Sequence, residues 1–236
     1  MRVEDGAVRG LDLHFARLAS ATRELFGSDL DVAQLRAWLR AAVTAERGHL
    51  SVRVNVFSRA FDRAHPFASA PPDVLISVAA APPDESTSLR LKSFRYGREL
   101  PHIKHVGTFP LFHFRGLAQR DGYDDALFVD ADGLISEASI WNIGFYDGIR
   151  VVWPQAPQLD GVGMRLLRRG LAQLGVTDMA RPVRLSDLRD FHGAFLSNTA
   201  AFARLVAAID GVQFEENADL IDLLQRAHLS NPPQRL

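Results

Sequence analysis

Ala126-Leu127-Phe128-Val129-Asp130-Ala131-Asp132-Gly133-Leu134-Ile135-Ser136-Glu137 is the stretch from which the fold can be read. Two apolar runs flank Asp132-Gly133, and Asp-Gly between such runs is the strongest short-range hairpin signal. A second hairpin follows at once, with Asp147-Gly148 joining Ile140–Tyr146 to Ile149–Trp153. Successive antiparallel hairpins rule out a purely parallel βαβ design, although helices and strands interleave along the rest of the chain. The expected class is α+β.

Upstream, Leu11, Phe15, Leu18, Thr22 and Leu25 share one face of a helix over 11–26. Ser28-Asp29 can cap a second helix of 31–47, ended by Gly48. Val52, Val54 and Val56 then alternate with Arg53, Asn55 and Phe57, which is the period of a half-buried strand. Two more strands are expected at 73–80 and 88–96, separated by Pro82-Pro83-Asp84, so residues 1–98 read as a small α+β domain with a sheet of three or more strands. Residues 99–103 form a connector, and 104–236 form a larger domain that opens with a helix over 108–120. Beyond the hairpins, helices are expected at 161–174, 186–191 and 217–228, with strands at 194–197 and 205–209.

Composition narrows the function. The 236 residues are 47% apolar, enough for a sizeable core. A net charge of −1 and a pI near 6.7 argue against nucleic acid or an anionic membrane as main partner. With no cysteine, thiolate catalysis and cysteine zinc sites are excluded. His102, His105 and His113 lack a pattern such as His-Glu-x-x-His, so no metal is expected. Without an 18-residue apolar run or a signal-peptide core, a soluble cytoplasmic protein is the expectation.

Only two of the 27 basic residues are lysine, Lys92 and Lys104. Arginine stays charged, whereas a lysine amine can lose its proton and attack a carbonyl to form an imine. Lys92 alternates with Arg90 on the outward side of a strand. Lys104 sits between two histidines in Leu100-Pro101-His102-Ile103-Lys104-His105. Three further features complement it. Glu137 ends a strand that otherwise reads as buried. Gly161-Val162-Gly163 opens a helix, whose free amides can hold an anion. Ser197-Asn198-Thr199-Ala200-Ala201 is a break rich in hydroxyls and amides after the strand Ala194-Phe195-Leu196. An imine-forming amine, a carboxylate and two neutral anion cradles suit pyridoxal 5′-phosphate. Its aldehyde takes a lysine, its ring nitrogen an acid, and its phosphate backbone amides and hydroxyls.

In order along the chain, Ile103-Lys104-His105, Gly122-Tyr123-Asp124-Asp125-Ala126-Leu127, Gly133-Leu134-Ile135-Ser136-Glu137 with Asn142, Leu159-Asp160-Gly161-Val162-Gly163-Met164-Arg165 and Leu196-Ser197-Asn198-Thr199-Ala200-Ala201 resemble the class IV aminotransferases. These are the fold type IV pyridoxal-phosphate enzymes, which include branched-chain and D-amino-acid aminotransferases and aminodeoxychorismate lyase. A weaker likeness reaches back to His14-Phe15-Ala16-Arg17-Leu18. The resemblance implies a small α/β sandwich domain beside a larger mixed domain like a β-barrel, in a homodimer. It also implies a Schiff base on Lys104, an acid at Glu137 for the pyridine nitrogen, and a phosphate held by Arg17, the Val162 and Gly163 amides and Thr199. Arg95 and Arg98 are candidates for a substrate carboxylate, and Asn198 is a third candidate contact.

The implied reaction is transamination from an amino acid or related amine to a 2-oxo acid. Lys104-His105 and Asn198 also resemble the lyase branch, for which β-elimination releasing pyruvate is the alternative. A catalytically silent relative that binds the cofactor is a third. Two departures bear on substrate choice. Phe109 stands where many members carry a tyrosine. The resemblance also implies a further N-terminal segment, with a Gly-x-x-Phe-Glu strand lining the substrate pocket; with the sequence read from Met1, that wall is expected to be absent, replaced or supplied by a dimer partner.

Overall fold

The computed structural model describes residues 1–44, 46, 48–83 and 87–236. They divide into two compact units, Met1–Pro83 with Pro232–Leu236, and Asp84–Asn231.

The first unit runs β1 (Arg2–Val3), β2 (Ala7–Arg9), α1 (Leu11–Phe26), α2 (Val32–Thr44), β3 (Leu50–Phe57) and β4 (Asp73–Ala80). The end of the predicted second helix, at 45 and 47, lies outside the described residues. β3 and β4 pair antiparallel from Leu50↔Ala80 to Phe57↔Asp73, and β1 adds to the other edge of β3. The apolar face predicted for α1 buries Leu11 and Phe15, and α2 buries Leu35 and Leu39, in one core with Val52.

The second unit opens with β5 (Leu89–Arg95), α3 (Phe109–Arg120), β6 (Asp125–Val129), β7 (Ile135–Ala138), β8 (Asn142–Tyr146) and β9 (Val151–Pro154). It continues through α4 (Val162–Gln173), β10 (Asp178–Arg181), a 3-10 turn at Leu185–Asp190, β11 (Gly193–Ser197), β12 (Arg204–Ile209), β13 (Val212–Gln213) and α5 (Ala218–Leu229). The last strand of the chain, β14 (Pro233–Arg235), returns to the first unit and pairs with β2. Both predicted hairpins form, and their turn residues Gly133 and Gly148 hold φ of 76° and 95°, a region glycine enters without steric cost. In the order β8-β11-β12-β5-β6-β7 the strands make a six-stranded barrel, closed where Glu137 of β7 pairs with Asn142 of β8. β9 and β10 extend outward from β8. Leu91, Leu127, Ile135, Ile143, Phe145 and Leu196 fill its core. Closure leaves no unpaired edge within the ring. The α+β class and the barrel agree with the sequence reading.

The expected boundaries, 1–98, 99–103 and 104–236, differ from the observed division. β5 belongs to the barrel, running parallel to both β12 and β6. Its inward residues Leu89 and Leu91 are buried in the barrel core. β1 instead completes the sheet of the first unit. Alternation revealed the strand but carried no information about its partner. The short strands β1, β2, β10, β13 and β14 have too few residues to show a period and were not foreseen. Among the described residues no helix is long and apolar enough to cross a membrane.

Candidate active site

Glu137 owes its direction to an irregularity in β7. Val129 pairs with Ile135 and Leu127 with Ala138, so a two-residue step on β6 faces a three-residue step on β7. Such a bulge re-aims side chains and is common beside active sites. Ile135 and Ala138 both remain in the barrel core, and Ser136 and Glu137 are released from it. Ser136 turns to the Phe128 carbonyl. Glu137 is 4% exposed, and its Oε2 accepts the Leu159 amide at 3.2 Å. Its Oε1 has no hydrogen-bond partner.

The turn that supplies Leu159 is held by Asn142, whose Nδ2 donates to the Leu159 carbonyl at 2.7 Å and to Gln158 Oε1 at 3.1 Å. This places the start of α4 beside the acid. Gly161 is the N-cap, and the first-turn amides, Val162 and Gly163 among them, have no carbonyl within the helix to pair with. A Cβ on Gly163 would lie 2.7 Å from the Asn198 carbonyl oxygen and 2.9 Å from Ser197 Oγ. The helix start and the β11–β12 turn can approach this closely only with glycine there. Ser197 is fully buried and its hydroxyl is unpartnered, while Thr199 is half-buried in the same turn.

The segment between β5 and α3 reaches the acid from another side. Arg98 Nη1 stands 3.8 Å from Glu137 Oε1, with the two side chains 7% and 6% exposed. Its Nη2 points to the Ile103 carbonyl at 3.4 Å. Lys104 follows, exposed, and its charge acts on Glu137. Burial pushes the Glu137 carboxyl above its ordinary range. Arg98, the Leu159 amide and Lys104 oppose that shift. His105 braces the loop, accepting the Gly107 amide at 3.1 Å through Nδ1.

Lys104, Glu137, Val162, Gly163 and Thr199 all lie in the second unit, and so do the candidates for substrate contact, Arg95, Arg98 and Asn198. Arg95 is exposed and donates to the Ala131 carbonyl, in the β6–β7 turn. Arg98 is committed to the neighbourhood of Glu137. Asn198 Oδ1 accepts the Ala200 and Ala201 amides in its own turn, and its Nδ2 donates to the Ile140 carbonyl at 3.4 Å. Arg17 lies half-buried on α1 of the first unit, and its role toward a phosphate rests on resemblance alone. Lys92 is ion-paired with Asp121, as a structural lysine would be. Phe109 is exposed and stacks on His113. The sequence reading missed Leu159 and the Arg98–Glu137 approach, which depend on the bulge and have no local signal. It also left Asp125 without a role. Asp125 is fully buried and accepts from Ser139 Oγ and Trp141 Nε1, which pins the turn between β7 and β8.

Residues 1–209 match the sequence profile of amino-transferase class IV. A Rickettsia typhi protein assigned as a branched-chain-amino-acid aminotransferase is 28% identical over 113 residues, 46% of this chain and 39% of that protein. The chain therefore matches well under half the length of that relative. A Legionella pneumophila structure assigned as a 4-amino-4-deoxychorismate lyase superimposes with a TM-score of 0.90 at 19% identity, covering 98% of this chain and 89% of the other. An aminotransferase from Brucella abortus, solved with its cofactor PLP, gives 0.85 at 18% identity, covering 98% and 86%. At these identities the two structures speak for the fold, and the profile speaks for descent. Because the profile covers most of the sequence, the chain belongs to the class IV aminotransferase family.

Proposed function

We propose that this protein is a pyridoxal-phosphate-dependent aminotransferase that moves an amino group from an amino acid or related amine to a 2-oxo acid. The observation that carries the reading is the unpartnered Oε1 of buried Glu137, in a wall shared with the start of α4. A buried oxygen without a donor is costly, and a protonated ring nitrogen is the donor that would satisfy it. The glycine-lined approach of α4 to the β11–β12 turn suits a phosphate, since first-turn amides and hydroxyls stabilise an anion. Together these residues fit the cofactor.

When bound, the cofactor supplies an aldehyde for amine exchange and a ring that accepts the electron pair released at the substrate α-carbon. Lys104 would anchor the aldehyde. Once substrate displaces it, the free amine would take the α-carbon proton and return it at C4′. Glu137 would hold the proton on the ring nitrogen. The Val162 and Gly163 amides and Thr199 would fix the phosphate and thereby the register of the ring.

Borohydride should fix the cofactor onto Lys104, read by peptide mass. Labelling of Lys92, or of neither lysine, overturns the assignment. Lys104→Ala should lower transamination by about 10²–10⁴-fold or more, the usual weight of a positioned proton carrier. Lyase chemistry is the second reading. It is favoured by Lys104-His105 and by the likeness to the Legionella protein. A donor screen that follows the lysine-bound cofactor band, with pyruvate monitored in parallel, separates the two. Pyruvate without any amino acceptor selects the lyase. We further propose a homodimer, the family's usual assembly, which sedimentation would test.

A further inference from the structure

We propose that Arg98 is a positioning residue that keeps Glu137 an ionised acceptor for the cofactor ring nitrogen by standing beside its free oxygen without bonding to it. The inference rests on the cofactor reading above and replaces the expected role of Arg98 toward substrate. Both side chains are almost completely buried, and 3.8 Å separates Nη1 from Oε1. At that distance the guanidinium contributes its charge but takes no lone pair, and neither Oε1 nor Arg98 Nε has a hydrogen-bond partner. Its Nη2 leans instead toward the Ile103 carbonyl, next to Lys104. Oε2 is occupied by the Leu159 amide, so Oε1 is the oxygen left to receive a donor.

The groups acting on Glu137 come from three sides. Arg98, Lys104 and the Tyr96 phenol lie on the segment after β5, the Leu159 amide lies in the β9–α4 turn, and Asn142 stands opposite in register with its amide turned to Leu159. Among these described groups, Arg98 and Lys104 are the ones that carry positive charge. Lys104 cannot serve as a standing counter-charge, because its nitrogen is the one that exchanges between cofactor and substrate. Arginine keeps its charge throughout. Without Arg98, the buried carboxylate would hold the shared proton itself and the ring nitrogen would be neutral.

The test uses full-length protein with wild type, Arg98→Met and Arg98→Lys. The first measurement is the titration of Glu137 in cofactor-free protein, followed by its carboxyl infrared band and identified by loss in Glu137→Gln. Arg98→Met should raise the midpoint by about one to three pH units, the usual effect of losing an opposite charge at this range. Arg98→Lys should restore most of it. The second measurement is nitrogen NMR of ring-labelled pyridoxal phosphate. The ring nitrogen should be protonated in wild type and Arg98→Lys and neutral in Arg98→Met. An unmoved midpoint in a folded Arg98→Met protein, or a ring nitrogen still protonated there, overturns the proposal. If Arg98→Met does not fold, an Arg98→Lys protein with a neutral ring nitrogen overturns it, and one with a protonated ring nitrogen supports it. Should wild type bind no cofactor, the aminotransferase reading fails. The carboxyl titration then still decides whether Arg98 governs the acid.

Discussion

Asp125 shows how one buried charge can brace a site from outside it. It has no exposure and accepts from Ser139 Oγ, Trp141 Nε1 and its own neighbour's amide at Ala126, with Arg115 3.7 Å away. Asn at this position would keep one acceptor and turn an NH2 group toward the Trp141 N–H, leaving a buried donor unpaired. Asp125→Asn should therefore destabilise the protein by about 1–3 kcal/mol in denaturant unfolding at neutral pH. The same residue fixes a pH trend. Burial raises its folded carboxyl above the ordinary value, and the hydrogen bonds and Arg115 only partly offset this. Between the ordinary and the raised value, the folded chain therefore holds more of this proton than the unfolded chain does. Its contribution is fully present below the ordinary carboxylate range and declines as pH rises toward the raised value. Asp125→Asn should flatten that slope in stability measured across the acid range. Gly163→Ala tests the other wall of the site. Its Cβ would meet the Asn198 backbone at 2.7 Å, and backbone cannot swing aside as a flexible side chain can. We expect a loss of about 1–3 kcal/mol from overpacking, with weaker cofactor retention on dialysis.

Helices α4 and α5 set the depth at which the α4 start meets the β11–β12 turn. They touch at Gly170, where a Cβ would fall 1.8 Å from the Ala227 carbonyl oxygen. Asn231 staples the pair, with Nδ2 donating to the Leu166 and Ala227 carbonyls at 3.0 and 2.9 Å. Gly170→Ala must push the helices apart, at a cost of about 1–3 kcal/mol or more by thermal or chemical unfolding. Because α4 bears the proposed phosphate amides, cofactor affinity should fall with stability. An Ala variant as stable as wild type would contradict the close approach. The contrast between α4 and β7 shows what the sequence could reveal. Helix α4 was legible because its own residues carry a signal, a glycine start, and the structure buries Met164, Leu167 and Leu171 along one side of it. The β7 hairpin was legible through Asp132-Gly133. The bulge that re-aims Glu137 was not, because it is a mismatch between two strands and leaves no mark in either one. Likewise β5 announced itself by alternation while concealing its partners. Lys104 was found by scarcity, but its exposure was not foreseen.

At the scale of the whole chain, the last five residues belong structurally with the first eighty. β14 pairs antiparallel with β2, matching Pro233, Gln234 and Arg235 to Arg9, Val8 and Ala7. Leu236 is buried in the same core as Val3, Val8 and Leu39, and its amide donates to the Gly6 carbonyl at 3.1 Å. Arg40 of α2 donates twice to the Leu236 carbonyl group, at 3.0 and 2.8 Å. Gln234 Oε1 accepts the Asp12 amide in the first turn of α1, standing in for the side-chain cap that Gly10 cannot provide. Deleting residues 232–236 therefore removes a strand partner, a helix cap, an arginine acceptor and a buried leucine, the leucine alone contributing about 1.5–3 kcal/mol. Amide hydrogen exchange should then accelerate in β2, α1 and α2. The barrel strands β8 and β11, which draw no contact from this segment in their pairing, should keep their protection. Equal protection of β2 in the truncated and full-length proteins would show that the tail does not close the first unit. Loss of protection in β8 and β11 to the same extent would show that the two units unfold as one.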